Sequence, residues 1–184
     1  GRRLDLLRSL SQGLMEELDT EELLKKILDN AIEFAGAGHG VINILEDEGK
    51  TFRRKYGVGL FEPMVGEVRP AGRGITARAL QERRRIFLKN YAESPDKLDD
   101  PRFKGIVSGI IMPLFYGPRN FGGLTVSYTN ESPELDEDFA ASLDQFAAIA
   151  SVALENARLH EAVRRELRNK SRAEERLKVQ NLMA

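Results

Sequence analysis

Leu4, Leu7, Ser11, Leu14 and Leu18 recur at alternating steps of three and four, which aligns them on one stripe of a helix, and Leu6 and Leu10 widen that stripe. The spacing predicts a first helix over residues 4–18 that needs apolar partners. Asp19 or Thr20 can cap a second helix, with Glu21 and Glu22 complementing the positive end of its dipole. Leu23, Leu24, Ile27, Leu28, Ala31, Ile32 and Ala35 give this helix a broad apolar face, and Gly36 stops it.

After Gly36 the period shortens to that of a strand. Val41 to Leu45 and Thr51 to Val58 flank the polar turn Glu46-Asp47-Glu48-Gly49-Lys50, a hairpin signature. Glu67-Val68-Arg69 predicts a short strand ended by Pro70, and Gly74 opens a helix with Ile75, Ala79 and Leu80 on one side. Arg85 to Tyr91 predicts another strand. The stretch from Ala92 to Gly105, with Pro95, Asp99, Asp100 and Pro101, reads as a long loop containing a helical turn, and loops of that length usually have a function.

Gly109 to Tyr116 and Gly122 to Tyr128 are strong strands joined through Gly117-Pro118-Arg119-Asn120, so the sheet is expected to be largely antiparallel. A last helix starts near Pro133 with Asp136 as cap, and Phe139, Leu143, Phe146, Ala147, Ala150, Ala153, Leu154 and Ala157 form its core face. Nothing ends this helix before Ala184, so at 1.5 Å per residue it would reach about 70 Å and leave the domain. Beyond Leu159 it keeps only Val163, Leu167, Ala173, Leu177 and Leu182 among many charges, a composition expected to form a coiled coil with a partner.

The bulk properties narrow the chemistry. A chain of 184 residues, 41% hydrophobic and 31% charged, makes one soluble domain with extensions. Its net charge of -1 offers no field to recruit nucleic acid. The sequence contains no cysteine, which excludes disulfides, thiolate nucleophiles, cysteine zinc sites and thioether-held cofactors. No apolar run is long enough to span a bilayer, the longest candidate being Gly109 to Phe115 with Pro113 inside it. The opening Gly1-Arg2-Arg3 lacks both an initiator methionine and a signal stretch, as expected for a piece of a longer protein.

The order of elements resembles the GAF domain family. Leu18-Asp19-Thr20-Glu21-Glu22-Leu23-Leu24 resembles its entry helix, and Gly72-Arg73-Gly74-Ile75-Thr76-Ala77 its turn into the helix over the sheet. Arg85-Ile86-Phe87-Leu88-Lys89-Asn90-Tyr91 and Ser108-Gly109-Ile110-Ile111-Met112-Pro113-Leu114 resemble two of its strands, and Phe139 to Leu159 its exit helix. The resemblance implies an α+β fold: a six-stranded antiparallel sheet with bundled entry and exit helices on one face and a small-molecule pocket among short helices and loops on the other.

Three stretches are expected: an entry helix over 1–18 that dimerises, a sensor domain over 19–160, and a helical linker over 161–184 running as a coiled coil to an effector. Carried over from family position, the polar pocket candidates are Asn43, Arg73, Thr76, Asn90, Tyr91 and Ser108, with Phe103, Ile111 and Thr125 as walls. In cyclic-nucleotide-binding members an Asn-Lys pair follows the last strand and a Phe precedes an Asp-Glu pair; here Asn130 precedes Glu131, Leu135 replaces the Phe, and Phe139-Ala140 replace the acids. The resemblance therefore does not extend to cyclic nucleotides, nor, without cysteine, to bilin attachment or sulfoxide reduction.

The functional expectation is a cytoplasmic, homodimeric, non-catalytic sensor that binds an unidentified small molecule and passes its state to a histidine kinase or a cyclic-di-GMP enzyme. The alternative is a ligand-free dimerisation or transmission scaffold. No cofactor, metal, nucleic acid or membrane contact is expected. Gly72-x-Gly74-x-x-Ala77 superficially matches a dinucleotide fingerprint, but no parallel βαβ unit surrounds it and it reads as a structural turn. His39 and His160 have no metal-ligand spacing; Asp96, Asp99 and Asp100 read as caps and solvated acids, and Arg83-Arg84-Arg85 as a solvated helix end. Neither a Gly-x-Ser-x-Gly elbow nor a phosphate-cradling Gly-Lys-Ser/Thr loop is present.

Overall fold

Asp19 accepts a hydrogen bond from the Glu21 N–H at 3.0 Å and so caps helix α1, Thr20–Ala35; at its other end Gly36, at φ 62°, carries the left-handed turn that releases the chain. In the computed structural model residues 19–130, 133, 134 and 136–184 are described; the helix expected over 4–18, Glu131 and Leu135 fall outside them.

The chain next runs through β1, His39–Glu46, and β2, Thr51–Val58, whose hairpin turn holds Asp47, Glu48 and Gly49 at positive φ. A 3₁₀ segment, Gly59–Met64, buries Phe61 and Met64 and was not legible as an element. Strand β3, Val68–Pro70, precedes α2, Ile75–Glu82, and β4 is shorter than expected, Ile86–Leu88. Strands β5, Ser108–Tyr116, and β6, Arg119–Tyr128, form the second hairpin, and α3 runs over Glu137–Met183 from the Asp136 cap, which accepts from the Phe139 N–H at 2.7 Å.

The six strands lie in the order β3-β2-β1-β6-β5-β4, and every neighbouring pair is antiparallel. Alternation sorts their side chains between two faces. Ile42 of β1, Ile110, Met112 and Leu114 of β5, and Leu124, Val126 and Tyr128 of β6 face α1 and α3, meeting Leu24, Ile27, Leu28 and Ala31 of α1 and Leu143, Phe146 and Ala150 of α3 in the main core. Phe34 of α1 stacks on Phe139 with centroids 5.2 Å apart, which fastens the start of the exit helix to the entry helix.

Two further ties hold α3 to the sheet. The Phe115 N–H donates to Ser151 Oγ at 3.1 Å, while Ser151 donates to the Ala147 carbonyl. Arg85 donates to the Ala140 carbonyl at 3.0 Å and pairs with Asp144. The expectation of a solvated run at 83–85 holds for Arg83 and Arg84, which are exposed, although Arg83 also caps α2, bonds the Gly117 carbonyl and covers the Phe115 ring; Arg85 is half-buried.

Candidate functional site

The opposite face of the sheet carries Val41 and Asn43 of β1, Gly109 and Ile111 of β5, and Thr125 and Ser127 of β6, all in the alternate positions to the core-facing set. Helix α2 covers one side with Ile75 and Thr76, and the loop from Tyr91 to Ile106 closes the top with Tyr91, Asp96, Leu98, Phe103 and Ile106. Between them lies a cavity of about 60 Å³. That loop is built to stay shut. Asp100 caps its 3₁₀ turn by accepting from the Arg102 N–H at 2.9 Å, the Leu98 N–H donates to the Tyr91 hydroxyl at 3.0 Å, and Phe103 packs against Phe61 and edge-on to Tyr91.

Ion pairs pin the loop from outside. Arg78 of α2 donates to Asp96 at 3.0 Å, and Arg102 grips Glu67 through two bonds of 2.7 Å while also bonding Asp100. These contacts hold the Glu67 and Asp100 carboxyls below the usual carboxylate range, chiefly through the hydrogen bonds from Arg102.

Two arginines reach the cavity, one from β2 and one from the edge strand β3. A bulge in β2 is responsible for the first. Ile42 pairs with Tyr56 and Asn43 with Arg54, so Lys55 is the extra residue, and the strand's alternation flips across it. Tyr56 joins the helical core, whereas Arg54 turns to the cavity side with Phe52. Arg54 is buried, donates to Glu67 at 3.2 Å and stands over the Phe103 ring. Burial lowers its guanidinium pKa, an effect that Glu67 opposes. Arg69 of β3 donates through Nη1 to the Arg73 carbonyl at 2.9 Å and lies 4.9 Å from the Phe52 ring centre. Burial, aided by repulsion from Arg54, lowers its pKa to about 10.

Of the residues expected in a pocket, Asn43, Thr76, Tyr91, Phe103, Ile111 and Thr125 line this cavity together. Arg73, Asn90 and Ser108 do not. Arg73 and Asn90 are exposed, and Arg73 borders a separate open groove with Pro95 and Lys97. Ser108 is buried in phase with Ile110 and Met112, so it faces the helices. The expectation missed Arg54, Arg69, Asp96 and Ser127, all of which border the space.

Two polar atoms here are buried without a partner: Oδ1 of Asn43 and Nε of Arg69. Such atoms are costly unless something outside the chain completes them. His39, by contrast, is committed to the fold, its Nδ1 accepting from the Leu60 N–H at 2.9 Å. Among the described residues no cluster of His, Asp and Glu is placed to hold a metal ion.

An antiparallel six-stranded sheet with helices on one face and a lidded cavity on the other defines a class of small-molecule-binding sensory domains. The GAF domain family model matches residues 17–155, and the chain belongs to that family. GAF domains are signal-sensing, ligand-binding modules. Solved structures agree on the fold. The GAF domain of a phosphoenolpyruvate-protein phosphotransferase from Coxiella burnetii is 20% identical, with a TM-score of 0.77 over 87% of this chain and 96% of that one. Its counterpart from Acinetobacter is 16% identical, with a TM-score of 0.73 over 88% and 98%. A free methionine-R-sulfoxide reductase from Neisseria meningitidis, solved with its substrate, is 19% identical, with a TM-score of 0.71 over 86% and 91%. No curated protein matches the chain.

Proposed function

We propose that this chain is the sensory module of a cytoplasmic signalling protein: a small molecule enters the lidded cavity, and the change passes through α3 to an effector such as a histidine kinase or a cyclic-di-GMP enzyme. The observation that carries the reading is the pair of buried, unpartnered polar atoms, Asn43 Oδ1 and Arg69 Nε, on residues that line one cavity. A route outward exists because β5 and β6 present the cavity wall on one face and the helix-packing residues on the other, with Ser151 bonded to Phe115 N–H at the end of β5.

The extension of α3 suits pairing with a second copy. Val163, Leu167, Leu177, Val179 and Leu182 are exposed along it, and a helix so charged gains stability mainly from a partner. No described helix is long and apolar enough to cross a membrane.

One observation favours the scaffold reading instead. A cavity of about 60 Å³ is tight, and Tyr91 and Phe103, packed edge-on to each other, line it. Native mass spectrometry of the protein purified from its host separates the two. A dimer carrying a defined extra mass is the expected result; a dimer with no added mass moves the assignment to a ligand-free scaffold, and a monomer overturns the helix-pairing part.

A further inference from the structure

The charges around the cavity do not balance. Arg54 shares its single carboxylate, Glu67, with Arg102, which binds that group more closely, at 2.7 Å against 3.2 Å. Among the described residues Asp96 is the only acid on the cavity lining, and it is engaged by Arg78. Arg69 has no carboxylate partner among the described residues. Its contacts are the Arg73 carbonyl on Nη1 and the face of Phe52, so its Nε–Nη2 edge makes no hydrogen bond. That edge presents two parallel N–H donors, the spacing that the two oxygens of a carboxylate match side-on.

The second incomplete group has the opposite polarity. Asn43, on the cavity lining, is 4% exposed and its buried Oδ1 accepts no hydrogen bond, so a donor is missing there. Val41, Ile106 and Ile111 add apolar wall to the same cavity. Burial lowers the guanidinium pKa of both Arg69 and Arg54, in Arg54 against the opposing pull of Glu67.

We propose that the cavity takes a small organic carboxylate that also carries a hydrogen-bond donor, a hydroxy acid or an amino acid. The carboxylate lies on the Nε–Nη2 edge of Arg69, the donor meets Asn43 Oδ1, and a short carbon chain rests on Val41 and Ile111. This rests on the sensory reading given above and adds the chemical class of the ligand.

Calorimetry and thermal unfolding of the full chain at fixed ionic strength test the class. The probes are acetate, propionate, lactate, malate, alanine and glutamate, with acetamide, propylamine and inorganic phosphate as comparisons. Saturable binding of a carboxylate with a donor is expected, tighter than its donor-free analogue. Arg69→Gln should weaken it about tenfold to a hundredfold, and Arg69→Lys should recover part of the loss. Asn43→Leu should erase the preference for lactate over propionate, and circular dichroism shows whether each variant stays folded. Binding unchanged in a folded Arg69→Gln overturns the assignment. Preference for acetamide, propylamine or phosphate also overturns it while leaving the sensor reading intact. If none of the probes binds and the protein from its host carries no added mass, both fall.

Discussion

The Arg78 guanidinium on α2 meets the Asp96 carboxylate at 3.0 Å, joining the helix beside the cavity to the loop above it. This pair and the Arg102–Glu67 clamp are the polar fasteners of the loop, and both are partly solvated. Pairs in such settings contribute little to global stability. Removing one should therefore loosen the loop without unfolding the domain. In Asp96→Asn, amide hydrogen exchange over residues 92–105 is expected to speed up while the unfolding midpoint changes by less than about 1 kcal/mol in stability. A uniform rise in exchange across the sheet would contradict this division of labour.

Arg69→Gln should make the ligand-free protein more stable. A half-buried guanidinium without a carboxylate is a cost of folding, and its removal is expected to raise stability by about 1–2 kcal/mol in urea unfolding at neutral pH. The sign follows from the depressed pKa. Below about 10 the residue is charged in both states and the full penalty applies; between about 10 and the ordinary guanidinium range the folded form sheds its proton first and the penalty fades. The stability gap between variant and wild type should then narrow above pH 10.

Tyr128, at the end of β6, donates to the Ala35 carbonyl at 2.6 Å and closes the C-terminal turn of α1 against the sheet. Tyr128→Phe is expected to cost about 1–2 kcal/mol, read from denaturant midpoints, because the buried carbonyl loses its donor. Burial pushes this phenol up to about 12, so its share of stability is intact below its ordinary value of 10 and is lost as pH climbs from 10 to 12. The phenylalanine variant should lack that part of the alkaline loss.

Gly122 approaches β1 so closely that a Cβ there would sit 1.8 Å from the Asn43 carbonyl oxygen, with φ at 151° besides. Gly122→Ala must push the two strands apart beside a residue of the cavity wall. A loss of about 3 kcal/mol or more is expected in thermal or urea unfolding. An alanine variant as stable as wild type would show that the strands separate freely at this point.

The helices and most strands were legible because their signals are local. The Asp19 and Asp136 caps, Gly36, the exact span Thr51–Val58 and the two hairpins all follow from side chains within a few residues of each other. The cavity was legible only in part. Asn43, Thr76 and Tyr91, assigned to a pocket from family position, line the cavity, whereas Ser108, assigned to it too, is in phase with Ile110 and Met112. Arg54 was hidden by the bulge: Phe52, Arg54 and Tyr56 alternate as though they shared one face, and only the pairing with β1 reveals that Lys55 divides them. Arg69 sits on a three-residue edge strand whose periodicity is too short to assign a face. A basic residue at an otherwise apolar alternation was the one available cue, and it was not used.

The 47-residue α3 is anchored only over its first part: Glu155 is its last buried residue, and from Leu159 onward it is exposed. Roughly 40 Å of rigid rod therefore stands beyond the final grip of the sheet, from the rise of 1.5 Å per residue. Such a rod works as a lever with a short arm in the domain and a long arm outside it. A pivot of about 5° at Ser151, too small to disturb packing around Phe146 and Ala150, would carry Leu182 sideways by about 3–4 Å over that length. The domain can thus keep its core unchanged while its far end moves by more than half of a helical pitch.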